Sequence, residues 1–307
     1  MLAALPDQPP ALAGNCQAPL RSPRLVRSCC SISSCTAGSV DMLVSGRERR
    51  LRRLFPPFSG RSVMLPIDQP VSLGPLTGIA DVHKALPKLL AGEPDAVICH
   101  RGVLRHVPAD LPARTGLIMH LSAGTGLSGR GYVKTLTGSV ADAVRFGADA
   151  VSVQVTFGTA EEGAMLTDLA RIASQCAEWD MPLLTMVYVH GADPVREPGK
   201  IAHGARVAAE LGADIVKVPY TGTPESFAPV TEGCFVPVVV AGGERHFDQD
   251  ALRDAVRGAL EAGAAGVCVG RNVFQHEDPQ RALAELRATV HTDPVFRTYH
   301  EDVPSHV

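Results

Sequence analysis

The chain has 307 residues, 45% of them hydrophobic and 20% charged, which is the balance of a globular enzyme with a large core and not of a disordered or fibrous protein. A net charge of −3 supplies no field that would gather polyanions, so nucleic acid and anionic membrane are set aside as partners in favour of a small substrate. No stretch reaches the roughly 18 consecutive apolar residues of a spanning helix, so a soluble protein without a membrane anchor is expected.

Residues 1–41 are rich in Pro, Ser, Ala and Cys without helical or strand periodicity, and they are expected to form a disordered tail. A secretory signal lacks its apolar centre here, because Arg21, Arg24 and Arg27 interrupt the segment; an Arg- and Ser-rich transit peptide and a natural start at Met42 are the other readings. Segment 42–61 carries GRERRLRRLF, in which Leu51, Leu54 and Phe55 stand at helical spacing within a basic run. That pattern predicts an amphipathic helix capping one end of the folded unit in preference to a polyanion site.

Over 62–292 short apolar, β-branched runs alternate with amphipathic stretches. The runs are 62–68, 95–100, 116–121, 149–155, 183–188, 214–220, 236–241 and 266–270. A local repeat marks their starts: GADAV at 147–151, GADIV at 212–216, GAAGV at 263–267 and the looser GEPDAV at 92–97. In each, a glycine is expected to end the preceding helix at positive φ before the chain enters the next strand. Near-continuous apolar runs joined by helices are parallel strands buried on both faces, and eight of them predict a closed (βα)8 TIM barrel, with an open doubly wound sheet as the alternative. Residues 293–307 are expected to be a C-terminal tail.

In such a barrel the chemistry sits where the strands end. The strand ends offer Asp68, His100, His120, Gln154, Tyr188, Lys217, Gly242-Gly243 and Gly270-Arg271. Lys217, between Val216 and Val218, faces the interior in this pattern; desolvation disfavours its ammonium and would leave an amine able to attack a carbonyl, the requirement of Schiff-base catalysis. A lysine merely held by a buried carboxylate is the plain alternative. Tyr188 is placed as proton donor or acceptor, against a role as core filler with a satisfied hydroxyl. Asp68 is placed to move a hydroxyl proton or hold an iminium, against a role as loop cap. The glycine loops at 242–243 and 270–271, with Arg271, fall where these barrels frequently hold phosphate, and His100, His120 and Gln154 complete the substrate-binding set.

His100, His106, His120 and His190 match no compact metal motif, so no metal and no cofactor beyond the lysine itself is expected. Cys99, Cys176, Cys234 and Cys268 lie singly in or beside apolar runs and read as small buried hydrophobes, while Cys16, Cys29, Cys30 and Cys35 in the tail form neither a zinc nor a disulfide pattern. A reducing cytoplasm suits that usage.

RLRRLF, LPIDQPVSLGPLTGI, HRGVLRH, GLIMHLSAGT, GADAVSVQV, MPLLTMVY, ELGADIVKVPYTG, VPVVVAGG and GAAGVCVGRNVFQHED together resemble the archaeal-type class I fructose-bisphosphate aldolase family, over about 46–292. They look most like its branch of 2-amino-3,7-dideoxy-D-threo-hept-6-ulosonate synthases, transaldolases that cleave a phosphorylated ketose on a lysine and join the retained fragment to L-aspartate semialdehyde. The resemblance implies a Schiff base at Lys217, an acid/base tyrosine at Tyr188, an aspartate at Asp68, phosphate contacts near Gly242, Gly243, Gly270 and Arg271, and a ring-shaped homo-oligomer such as a decamer. Two departures stand out. The family's Asp-His-Gly is here Asp68-Gln69-Pro70, and its Tyr-Pro-Arg-Gly is Tyr188-Val189-His190-Gly191. Both suggest a relative recruited for a modified aldol substrate in aminohydroxybenzoate or other secondary metabolism. Fructose-bisphosphate cleavage, a coenzyme A-dependent thiolase acting on a phosphorylated diketone, and a phosphosugar-binding scaffold without catalysis are the competing functions.

Overall fold

The computed structural model describes residues 44–108, 111–112, 114–195, 197–243 and 248–292. The expected tails, the start at Met42 and Cys16, Cys29, Cys30 and Cys35 lie outside the described residues. The strands are β1 (Ser62–Pro66), β2 (Ala96–Cys99), β3 (Gly116–His120), β4 (Ser122–Ala123), β5 (Thr135–Leu136), β6 (Ala150–Phe157), β7 (Leu183–Val189), β8 (Ile215–Pro219), β9 (Val238–Ala241) and β10 (Gly266–Cys268). The described helices are α1 (Gly46–Leu54), α2 (Pro70–Leu73), α3 (Val82–Leu90), α4 (Arg101–Leu104), α5 (Val140–Arg145), α6 (Glu162–Glu178), α7 (Pro198–Glu210), α8 (Pro224–Glu232), α9 (Gln249–Glu261), α10 (Arg271–Phe274) and α11 (Pro279–Thr292). Eight strands close a barrel in the order β1-β10-β9-β8-β7-β6-β3-β2, every pair parallel, which is the TIM barrel that the eight apolar runs predict. The short antiparallel hairpin β4–β5 stands apart from it.

Strand alternation divides the core in two. Val63, Leu65, Val97, Val151, Val153 and Val216 pack outward under the helices, whereas Met64, Ile98, Ile118, Leu184, Ile215, Val239 and Cys268 fill the barrel itself. Leu54, fully buried at the end of α1, belongs to the interior set. Gly116 admits it: a Cβ there would stand 2.6 Å from Leu54 Cδ2. Burying one such leucine contributes about 2 kcal/mol.

The aspartates of the repeat explain both the strand starts and the basic character of α1. Asp95, Asp149 and Asp214 precede β2, β6 and β8, and each accepts from a main-chain N–H of the neighbouring strand: Val63 at 2.7 Å, Leu117 at 2.9 Å and Leu183 at 2.8 Å. Arg47 pairs with Asp214 at 2.9 Å and Arg53 with Asp149 at 3.1 Å, while Arg50 donates to the Ala148 carbonyl. Arg47, Arg50 and Arg53 of α1 thus lie against the barrel's base. Positive φ falls on Gly147, Gly212 and Gly263 as the repeat requires, but in GEPDAV it falls on Glu93 at 49° and not on Gly92. Gly92 serves close packing instead, since a Cβ there would meet Leu283 at 2.6 Å.

Asp95 also holds Arg287 and His291 of α11, each at 2.9 Å. Asp95→Ala leaves the half-buried Arg287 without its counter-charge and two donors without an acceptor. We expect a stability loss of about 3–5 kcal/mol by denaturant titration; a loss below about 1 kcal/mol would show that water replaces the carboxylate there.

Candidate active site

Alternation carries side chains up the barrel wall to its mouth. On β8, Ile215 points inward at the base and Lys217, two residues on, does so above it; Met186 pairs with Lys217 in register, which puts Tyr188 one interior step higher on β7. Asp68 follows β1, His100 follows β2, His120 ends β3 and Gln154 lies mid-way along β6. Asp68, His100, His120, Gln154, Tyr188 and Lys217 line one cavity of about 270 Å³. Six candidates from six strands are therefore brought together.

Lys217 is buried, its Nζ 4.0 Å from Met186 Sδ, and Cys268 of β10 is among the groups that act on its charge. Burial disfavours its ammonium; Cys268, Tyr188 and Asp68 facing it act the other way, the thiol and the phenol only as their anions, and the net direction is upward. Whichever form rests in the site, the lysine attacks a carbonyl as its free amine. The Cys268 thiol itself is pushed up by burial to about 11, so at neutral pH it stands as a thiol. Because the amine fraction rises about tenfold per pH unit below the lysine's pKa, single-turnover formation of a covalent adduct should climb through the neutral range. A rate already flat below pH of about 7 would show an amine free at rest.

Two imidazoles stand near Asp68. His120 Nε2 stands 3.9 Å from Asp68 Oδ2, and its Nδ1 shares a 2.8 Å hydrogen bond with Ser152. Burial pushes His120 down to about 3 against the pull of Asp68, so it is a neutral imidazole. His100 packs edge-on against it with ring centroids 5.0 Å apart and is also lowered, first by burial. Asp68 Oδ1 and Gln69 Oε1 are buried without a hydrogen-bond partner among the described residues, so two acceptors stand ready for ligand hydroxyls. Gln154 Nε2 donates to Thr156 at 3.2 Å.

The glycine loops are placed differently. Gly242 and Gly243 line a neighbouring, mostly apolar cavity of about 390 Å³ between β9 and α9. The Gly242 N–H donates to the Cys268 carbonyl, its own carbonyl accepts from Asn272, and the Gly243 carbonyl accepts from Arg271 at 2.9 Å. A phosphate at this rim would therefore meet the amides of Gly243, Gly270 and Arg271 and not that of Gly242. Gly270 is required for close approach, since a Cβ would stand 2.6 Å from the Pro66 carbonyl and 2.7 Å from Gln69 Nε2. Pro70, which replaces the resembled family's glycine, is the first residue of α2, and His190 stacks on Tyr132 with centroids 4.1 Å apart.

Strand-end reasoning passed over Lys134, Ser72 and Ser122. Lys134 lines the Lys217 cavity from the β4–β5 hairpin, with Nζ donating to Ser72 Oγ at 3.1 Å. Its only sequence signal is a lysine in an otherwise polar and glycine-rich loop. Among the described residues no three His, Cys, Asp or Glu side chains are grouped to hold a metal ion. Nor is any described helix long and apolar enough to cross a membrane.

Fold and site define a (βα)8-barrel enzyme. The family model for DeoC/LacD family aldolases matches residues 62–276, and the chain belongs to that family. It is 40% identical over 247 residues to a 2-amino-4,5-dihydroxy-6-oxo-7-(phosphonooxy)heptanoate synthase of Streptomyces griseus, covering 80% of this chain and 90% of the relative. It is 36% identical over 253 residues to a 2-amino-3,7-dideoxy-D-threo-hept-6-ulosonate synthase of Halobacterium salinarum, covering 82% of this chain and 94% of that one. Among solved structures it resembles an archaeal fructose-1,6-bisphosphate aldolase whose catalytic lysine is covalently bound to the carbinolamine intermediate of the substrate, with a TM-score of 0.72, 29% identity, and coverage of 80% of this chain and 100% of that one.

Proposed function

We propose that the protein is a class I aldolase or transaldolase that forms a Schiff base between Lys217 and a phosphorylated ketose, then joins the retained fragment to an aldehyde such as L-aspartate semialdehyde. The observation that carries this is the convergence of Lys217, Tyr188 and Asp68 on one cavity at the barrel mouth. The deprotonated Lys217 amine attacks the ketone carbon, and the carbinolamine loses its hydroxyl as water to give an iminium. Tyr188 takes the proton from the adjacent carbon, leaving an enamine that attacks the aldehyde; the new alkoxide is protonated, and hydrolysis of the iminium returns the lysine. Asp68, with one unpartnered oxygen, receives or returns the hydroxyl proton in the cleavage direction.

The phosphate is assigned to Gly243, Gly270 and Arg271 at the ends of β9 and β10, with Gly242 shaping the turn. His100, His120 and Gln154 meet the hydroxyls of the sugar chain. The relatives' names support the substrate class. The heptanoate product carries a phosphate ester beside its ketone at one end and an amino acid at the other. Retro-aldol cleavage between its two hydroxyl-bearing carbons gives dihydroxyacetone phosphate and L-aspartate semialdehyde.

Incubation with dihydroxyacetone phosphate and L-aspartate semialdehyde, followed by mass spectrometry of the product, tests the pairing. A seven-carbon phosphorylated amino acid is expected; turnover of fructose bisphosphate alone would move the assignment to the aldolase branch, and acceleration by added coenzyme A to the thiolase. Turnover equal to that of a relative bearing His-Gly at 69–70 would remove the argument for a modified substrate.

A further inference from the structure

Opposite the phosphate rim, the barrel mouth holds a second, undercompensated cation. In the ring of strands, β3 lies diametrically across from β9, so the loop that follows β3 faces the loop of Gly242 and Gly243 across the opening. Lys134 is on that loop, immediately before β5, where the pairings Ser122↔Leu136 and Ala123↔Thr135 fix its backbone. Its stem is gripped as well. A Cβ on Gly124 would stand 2.1 Å from the Val133 carbonyl and 3.2 Å from Lys134 Cδ, so only glycine lets the hairpin close here.

The ammonium is aimed by a separate element. Pro70 starts α2 with its fixed φ, and α2 presents Ser72, whose Oγ donates to the Gly124 carbonyl at 2.7 Å and accepts from Lys134 Nζ at 3.1 Å. An ammonium has three donors, and this hydroxyl occupies one. Among the described residues no carboxylate lies within ion-pair distance of Lys134, although it is half-buried and borders the same cavity as Lys217, Tyr188 and Asp68. Burial drives its pKa downward with Asp68 only partly opposing, as expected of a cation that lacks a close anion.

We propose that Lys134 is the acceptor-side anion site, holding the carboxylate of the incoming aldehyde so that the enzyme selects carboxylated over neutral acceptors. This rests on the aldol reading above, in which the donor's phosphate lies on the β9–β10 side and the acceptor approaches from the side of β3. A phosphate on the acceptor shares the anionic chemistry. One ammonium beside one hydroxyl, however, matches the two oxygens of a carboxylate, whereas a phosphate dianion ordinarily gathers an arginine fork or a nest of amides.

The test uses the full chain with Lys134→Met and Lys134→Arg. Donor adduct formation, trapped with borohydride and dihydroxyacetone phosphate alone, should be unchanged in both, showing an intact fold and donor site. With succinic semialdehyde, kcat/KM should fall roughly 30–100-fold in Lys134→Met and recover in part in Lys134→Arg, while propionaldehyde changes by less than about twofold. Equal losses with both aldehydes would assign Lys134 a structural role and overturn the proposal; a larger loss with glyceraldehyde 3-phosphate than with succinic semialdehyde would overturn the carboxylate assignment. If the unaltered protein traps no ketose, the aldol reading fails by itself, and calorimetry with succinate still decides Lys134. Affinity at least about tenfold weaker in Lys134→Met supports the anion site, and equal or undetectable binding to both proteins overturns it.

Discussion

Lys217→Met should abolish carbon–carbon bond formation and cleavage, lowering kcat by on the order of 10⁴-fold or more, because it removes the amine that forms the iminium. Methionine matches the lysine stem in length and removes a buried charge, so the barrel should remain folded, with thermal stability unchanged or raised. A donor phosphate held at Gly243, Gly270 and Arg271 should still bind. Retention of more than about a hundredth of the activity would mean that another amine serves, and Lys134 would then be the one to examine.

Tyr188→Phe should separate binding from chemistry. The ring still packs against its neighbours on β7, but the phenol that exchanges a proton at the carbon beside the iminium is gone. We expect a fall in kcat of about 10²–10⁴-fold with little change in KM. The adduct on Lys217 should still accumulate, and exchange of deuterium from solvent into the donor should slow in parallel with kcat. A loss confined to KM would make Tyr188 a binding group. Both variants act in the same cavity, so their effects should fall short of additivity when combined.

The barrel was legible because its determinants are local. The β-branched runs, the Gly-Ala-Asp starts and the helical spacing of Leu51, Leu54 and Phe55 each act within a few residues, and the closed sheet follows from their number. The strand-end rule likewise brought Asp68, His100, His120, Gln154, Tyr188 and Lys217 to one cavity, since alternation fixes which side chains face inward. What escaped depends on contacts across the ring. The charge balance at Lys217 depends on burial and on Cys268 of β10, Tyr188 of β7 and Asp68, groups remote from it in sequence. Lys134 depends on the meeting of α2 with the β4–β5 hairpin, for which no periodicity speaks. The glycine loops lay where the strand count put them, yet the Gly242 amide is taken by the sheet's own Cys268 carbonyl, a register detail invisible in the string GG.

The most direct test of the central claim is borohydride trapping with a panel of phosphorylated ketoses, followed by peptide mass spectrometry across residues 214–222. A reduced adduct on Lys217, with a mass equal to that of the retained donor fragment, is the expected result and would identify the donor at the same time. Folded protein that yields no adduct with any ketose, or an adduct only on another lysine, would contradict a Schiff base at Lys217.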